Sequence, residues 1–131
     1  MDQAITDYIL DHYHSIYYPA DKQFEAHKVY GAHEKNGVIS VYIYSLYKQY
    51  NKGETTEQSG HSLPALVKLK HSGEDYSVIH YQEPEDGSLY LSSIKKMFPK
   101  RYVQKALNDT GNVQELHDEI EKQVKEWSEQ N

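Results

Sequence analysis

Two hydrophobic periods divide this chain. Near its start, Ile5, Tyr8, Ile9, His12, Tyr13, Ile16 and Tyr17 recur at steps of three and four. That spacing predicts one stripe on a helix of about four turns. Asp2 stands at the capping position, and Pro19 ends the helix because the residue before a proline is pushed out of helical conformation. From residue 24 the pattern changes to strand-like runs, 24–35 and 38–50, flanking Asn36-Gly37. Asn-Gly between such runs is the strongest short hairpin signal, since both turn positions need positive φ. A two-residue turn sets the register: Tyr30 opposite Ile43, Ala32 opposite Val41 and Glu34 opposite Ile39 on one face. The other face pairs Val29 with Tyr44, Gly31 with Tyr42 and His33 with Ser40. The Ile39-Val41-Ile43 side reads as core, and the side with Tyr42, Tyr44, Leu46, His27 and His33 as more amphipathic.

Residues 51–62 are polar, contain glycine and lack periodicity, which predicts a mobile loop. Runs 66–71 and 76–82 form a second hairpin around Ser72-Gly73-Glu74-Asp75. Its loop holds two, three or four residues, and a shift of one exchanges the faces of Val78 and Ile79. Glu83-Pro84-Glu85-Asp86-Gly87 ends the sheet. Ser92 or Ser93 caps a short helix through Met97, and Pro99 breaks it or begins the next, whose apolar residues are Tyr102, Val103, Ala106 and Leu107. After the break at Asn108-Asp109-Thr110-Gly111, Asn112 and Glu115 resemble a capping box. Val113, Leu116, Ile120, Val124 and Trp127 then make a sustained helical stripe.

This order predicts a single α+β domain over residues 1–131: an N-terminal helix, a four-stranded antiparallel meander, and C-terminal helices packed on the sheet, with the helices on one sheet face. One helix followed by four meandering strands is also the cystatin-like order, a fold-level analogy that carries no function.

Composition narrows the chemistry. The chain has 131 residues, 13 Tyr, no Cys and a formal net charge of −6. Without Cys there is no disulfide framework, no Cys-ligated zinc and no thiol chemistry. Net negative charge without a basic block argues against nucleic acid or an anionic membrane as partner. The most apolar stretch, 39–47, is shorter than the ~20 residues of a membrane-crossing helix. Met1-Asp2-Gln3-Ala4 lacks the basic and apolar regions of a secretory signal, so the expectation is either a cytoplasmic protein or one whose signal was removed. A monomer is expected.

Eight histidines raise the question of a metal. His12 and His14 point roughly 200° apart on a helix, and His27 and His33 are ~20 Å apart on a strand. His117-Asp118-Glu119 lacks the second His of a metalloprotease helix. No metal site and no cofactor is expected. Glu83, Glu85 and Asp86 crowd three carboxylates, but lack the alternating ligands of a calcium loop and read as turn chemistry. Ser59-Gly60-His61-Ser62 puts a serine near a histidine without the Gly-x-Ser-x-Gly elbow. Lys95, Lys96, Lys100, Arg101 and Lys105 form a basic cluster that reads as a solvated helix face or, alternatively, a site for an acidic partner. Tyrosine supplies contact area with a polar tip. The candidate binding face is therefore Tyr42, Tyr44, His27, His33 and Leu46, unless the late helices cover it and its rings serve as core.

The stretch Tyr81-Gln82-Glu83-Pro84-Glu85-Asp86-Gly87-Ser88-Leu89-Tyr90, continuing Ser93-Ile94-Lys95-Lys96-Met97-Phe98-Pro99, resembles a small uncharacterised extracytoplasmic domain of Gram-positive bacteria. That domain occurs in secreted or lipid-anchored proteins and beside BlaR-like membrane antirepressor metallopeptidases. Its upstream hairpin is similar to His27-Lys28-Val29-Tyr30-Gly31 and Val41-Tyr42, so the likeness covers residues 24–107. The resemblance implies an extracytoplasmic location and supplies no catalytic residue. The metallopeptidase helix motif belongs to the neighbouring membrane domain, and a lipid anchor would need residues upstream of these. The expected function is a non-enzymatic binding or sensor-accessory domain for a protein, peptide or cell-envelope component, with residues 51–62 and the Tyr/His face in contact. The alternatives are a small hydrolase-like enzyme using Glu83, Asp86 and His80, and a cytoplasmic protein-interaction module.

Overall fold

Asn36 and Gly37 adopt left-handed backbone, with φ of 53° and 80°. They join β1 (Lys22–Lys35) to β2 (Val38–Tyr50) in the tight turn their identities demand. The computed structural model describes residues 1–17, 19–54 and 57–130. A second two-residue turn, Gly73-Glu74, joins β3 (Ser59–Ser72) to β4 (Asp75–Gln82), with Ser72 paired to Asp75. The sheet is an antiparallel meander in the order β1-β2-β3-β4. Before it comes α1 (Asp2–His14); after it come a short 3₁₀ turn (Gly87–Leu89), α2 (Tyr90–Met97), α3 (Lys100–Asp109) and α4 (Gln114–Ser128). This is the expected α+β fold. Of the expected loop 51–62, residues 59–62 belong to β3, and Thr55 and Thr56 lie outside the described residues.

The first hairpin keeps the expected register only as far as Gly31–Tyr42. Tyr30 is an extra residue in β1, a bulge, and beyond it Val29 pairs with Ile43, Lys28 with Tyr44 and His27 with Ser45. The bulge reverses two expectations. Tyr30 turns to the Tyr42 side, packing among Phe98 and Tyr102, and His27 turns away from Tyr42 and Tyr44 to the face under α1. β4 carries a matching bulge at Ile79, between the pairs Lys68–His80 and Leu69–Val78. Both edge strands are thus interrupted, a device that discourages pairing with another chain.

Helices cover both faces rather than one. Under α1, Ile5, Ile9 and Tyr13 pack on Ile39, Val41, Ile43, Tyr47, Ala65, Val67 and Leu69. On the other side, Val113, Leu116 and Ile120 bury Phe24, Ala26, Tyr44, Leu46 and Tyr50, while Met97, Phe98 and Ala106 pack on Leu66. β2 is consequently apolar on both faces, as a central strand between two helical layers must be. Lys28 pairs with Asp109 at 3.1 Å and Glu115 at 3.0 Å, and the Tyr30 hydroxyl donates to Asp109, tying the α3–α4 junction to β1.

Helix ends also differ from expectation. Asp2 is the first helical residue of α1, its carboxylate 3.3 Å from His27, and the helix stops at His14, leaving Ile16 exposed. The cap residues of α2 and α4 are Leu89 and Val113, without side-chain caps. Ser93 accepts from the Glu85 amide instead, and Asn112 donates to the Asn108 carbonyl.

Candidate binding site

The expected binding face is divided between core and surface. Tyr44 is 0% and Leu46 3% exposed beneath α4, and Tyr42 lies 5.3 Å from the Phe98 ring and 5.7 Å from that of Tyr102. The bulge places His27 on the opposite face, and His33 stands exposed further along β1. Covering helices satisfy the apolar demand that made those rings candidates.

His27 belongs to a buried polar network. The Glu25 carboxylate accepts hydrogen bonds from Thr6 (2.8 Å), Ser45 (2.7 Å) and His27 Nδ1 (3.0 Å), and His27 Nε2 reaches Asp2 at 3.3 Å. Burial alone would lower the His27 pKa, but bonds and charge from Glu25 and Asp2 outweigh it and raise the value. Ser45 donates to the carboxylate rather than to the imidazole, which is not the order of a nucleophile, base and orienting acid. This network binds α1 to the sheet.

A second cluster fills the far end of α1. His61 shares a 2.7 Å hydrogen bond with Tyr17 through Nδ1 and packs against Tyr13 and Tyr47. Its buried Nε2 has no partner among the described residues, and burial, with the nearby His12, lowers its pKa to about 4. The Tyr81 hydroxyl donates to Glu83 at 3.1 Å and lies 3.3 Å from that of Tyr13. Burial raises the Glu83 pKa, with His12 opposing and Asp86 assisting. His80 sits on the other sheet face, opposite Lys68, so the structure does not gather Glu83, Asp86 and His80 into one site. Among the described residues no group of three His, Asp or Glu is placed to hold a metal ion.

A pocket of ≈ 400 Å³ lies where β2 runs out against α4, lined by Tyr50, Gly53, Glu54, Glu121, Val124, Lys125, Trp127 and Ser128. That volume falls within the ~300–1,000 Å³ typical of ligand clefts. Positions 121, 124, 125 and 128 recur at helical spacing, so one stripe of α4 forms a wall. Phe24 braces the floor, meeting the Tyr50 and Trp127 rings edge-on, each at 5.8 Å between centroids. The Lys52 ammonium stands 4.8 Å over the Trp127 ring. Burial raises the Tyr50 phenol pKa; Lys48 opposes this, and Glu57 and Glu121 add to it. The lining sets Glu54 and Glu121 against Lys125, and Lys52 holds the face of Trp127, so a cationic group on an apolar stem would enter by taking the place of Lys52 over the ring. Sequence reasoning missed Trp127 and Tyr50 because their spacing also fits core packing; the adjoining polar loop was the available signal. A wider depression of ≈ 600 Å³ between α1 and the start of β4 is lined by Gln3, Asp7 and Tyr8 of the helix and by Glu74, Tyr76 and Val78 at the hairpin.

No helix among the described residues is long and apolar enough to cross a membrane. No protein-family model matches the chain, and neither a curated protein nor a solved structure matches it.

Proposed function

We propose that this chain is an extracytoplasmic, non-enzymatic binding or sensor-accessory domain whose contact site is the pocket between residues 50–54 and α4. The observation that carries this reading is a pocket lined by the Tyr50 and Trp127 rings together with the carboxylates of Glu54 and Glu121. Its preferred ligand is a basic side chain of a partner protein or peptide that displaces Lys52 from the Trp127 ring: the aliphatic stem lies on Val124 and the rings, and the charged end meets the carboxylates. The resemblance of residues 81–99 supports the extracytoplasmic location, tested by fractionating cells that express the native gene.

Trp127 is the chain's sole tryptophan, so its fluorescence reports pocket occupancy directly. Titration with tri-lysine and tri-arginine is expected to give a saturable change in the millimolar range or below, weakened by Glu54→Gln with Glu121→Gln. Tri-glutamate is expected to give none. Absence of any saturable change with the basic peptides removes the pocket as the contact site.

A further inference from the structure

The helix layer covers only part of the sheet. It reaches the row Gly31–Tyr42–Leu66, where Tyr102 stands over Gly31 and Phe98 packs on Tyr42. The next row towards the turns crosses all four strands as His33–Ser40–Lys68–His80. On the same face one row further on, Lys35 pairs with Val38 and Lys70 with Ser77. His33, Lys35, Lys70, Ser77 and His80 are exposed, and Ser40 and Lys68 are half-buried. At the helix border α3 begins with exposed Lys100 and Arg101, the Arg101 guanidinium 4.7 Å from the Tyr102 ring.

Among the described residues, Lys35, Lys68, Lys70, Lys100 and Arg101 are outside every salt bridge, since the paired cations are His27, Lys28 and Lys48. The acidic residue on this stretch of β3 and β4 is Asp75, at the turn end, paired with Ser72. In a chain of net charge −6, cations are thus gathered on one open sheet face. Such segregation attracts an oppositely charged partner.

We propose that this face docks an extended acidic segment of a partner protein, with alternate carboxylates over Lys68 and Lys70 or over His33 and Lys35. Side chains two apart on an extended strand are separated by ~6.8 Å. Lys68 and Lys70, on successive rows, are also two apart, as are His33 and Lys35, so alternate acidic residues match them in step. A chain with more closely packed charges, such as polyphosphate, cannot keep that match. The surface is distinct from the pocket at Trp127 and does not depend on its occupancy.

The test is calorimetric titration of the full chain with a peptide of alternating glutamate and threonine, at low and at physiological salt. Saturable binding that weakens with salt is expected. Lys68→Gln with Lys70→Gln should weaken it about tenfold, while Lys22→Gln with Lys122→Gln, which removes equal charge elsewhere, should not. Should Lys68→Gln with Lys70→Gln fail to fold by circular dichroism, Lys35→Gln with Lys70→Gln, both exposed, is expected to show the same direction. Trp127 fluorescence should stay unchanged throughout. No binding, equal weakening by the control pair, tighter binding of polyphosphate than of the peptide, or a Trp127 response to the acidic peptide each overturns the assignment.

Discussion

The hydroxyl of Tyr102 occupies space that a side chain at position 31 would need: a β-carbon on Gly31 would stand 2.0 Å from it and 2.5 Å from the ring carbon bearing it. Gly31→Ala is therefore expected to destabilise the protein by about 1–3 kcal/mol through overpacking. With Tyr102→Ala already in place, the same change should stabilise by about 0.5–1 kcal/mol, because glycine inside a strand is entropically costly. Urea denaturation of the four proteins in this cycle checks the reversal of sign, and the same sign in both backgrounds defeats the account.

Burial of Tyr44 and Leu46 beneath α4 makes a second expectation. Leu46→Ala should cost about 2–5 kcal/mol, as a cavity in a packed core does. Val29→Ala, at a side chain 45% exposed on the same hairpin, should stay within about 0.5 kcal/mol. Comparable small losses at both positions would mean that the α4 contact is loose.

His27 and His61 are expected to bend the pH dependence of stability in opposite directions. An unfolded histidine titrates near ~6.5. His27 is raised in the fold, where burial is outweighed by Glu25 and Asp2, so its stabilisation is full below ~6.5 and is lost as pH rises through the folded value. His61 is lowered to about 4, mainly by burial, so its stabilisation is full above ~6.5 and is lost as pH falls towards 4. His27→Gln should flatten the alkaline decline and His61→Gln the acid decline, relative to the parent chain. Urea midpoints measured from pH ~4 to ~9 decide it; an unaltered limb in either variant removes that histidine's part.

Ile79 is 50% exposed at the bulge of edge strand β4. Ile79→Lys is expected to change stability by no more than about 0.5 kcal/mol and to reduce aggregation on heating, since edge lysines oppose strand-to-strand pairing. Light scattering during a thermal ramp gives the answer, and unchanged aggregation would locate the sticky segment elsewhere.

Most of the architecture was legible because it rests on local chemistry. Asn36-Gly37 dictates a tight turn, and the three-and-four spacing of Ile5, Ile9 and Tyr13 dictates a helix wherever those residues end up. The bulge at Tyr30 was hidden, because a one-residue slip leaves no local mark in a run where both faces carry rings and aliphatics. That slip exchanged the faces of His27 and Tyr30, and part of the candidate surface moved with them. The sandwiching of β2 was half visible in residues 38–47, which are aliphatic or tyrosine at all but Ser40 and Ser45, a pattern that fits burial on both faces. The pocket at Trp127 depends on α4 meeting the end of β2, a long-range relation that periodicity does not encode.

Glu25 receives bonds from α1 through Thr6, from its own strand through His27 and from β2 through Ser45. Mechanically, these bonds form a load path. A pull on the first residues of the chain is carried by Asp2 and Thr6 directly into β1, and α1 cannot peel away without breaking the Thr6–Glu25 and Asp2–His27 bonds together. The N-terminal helix is a rivet rather than a flap, so tension applied there passes into edge strand β1 and, through Ser45, into β2.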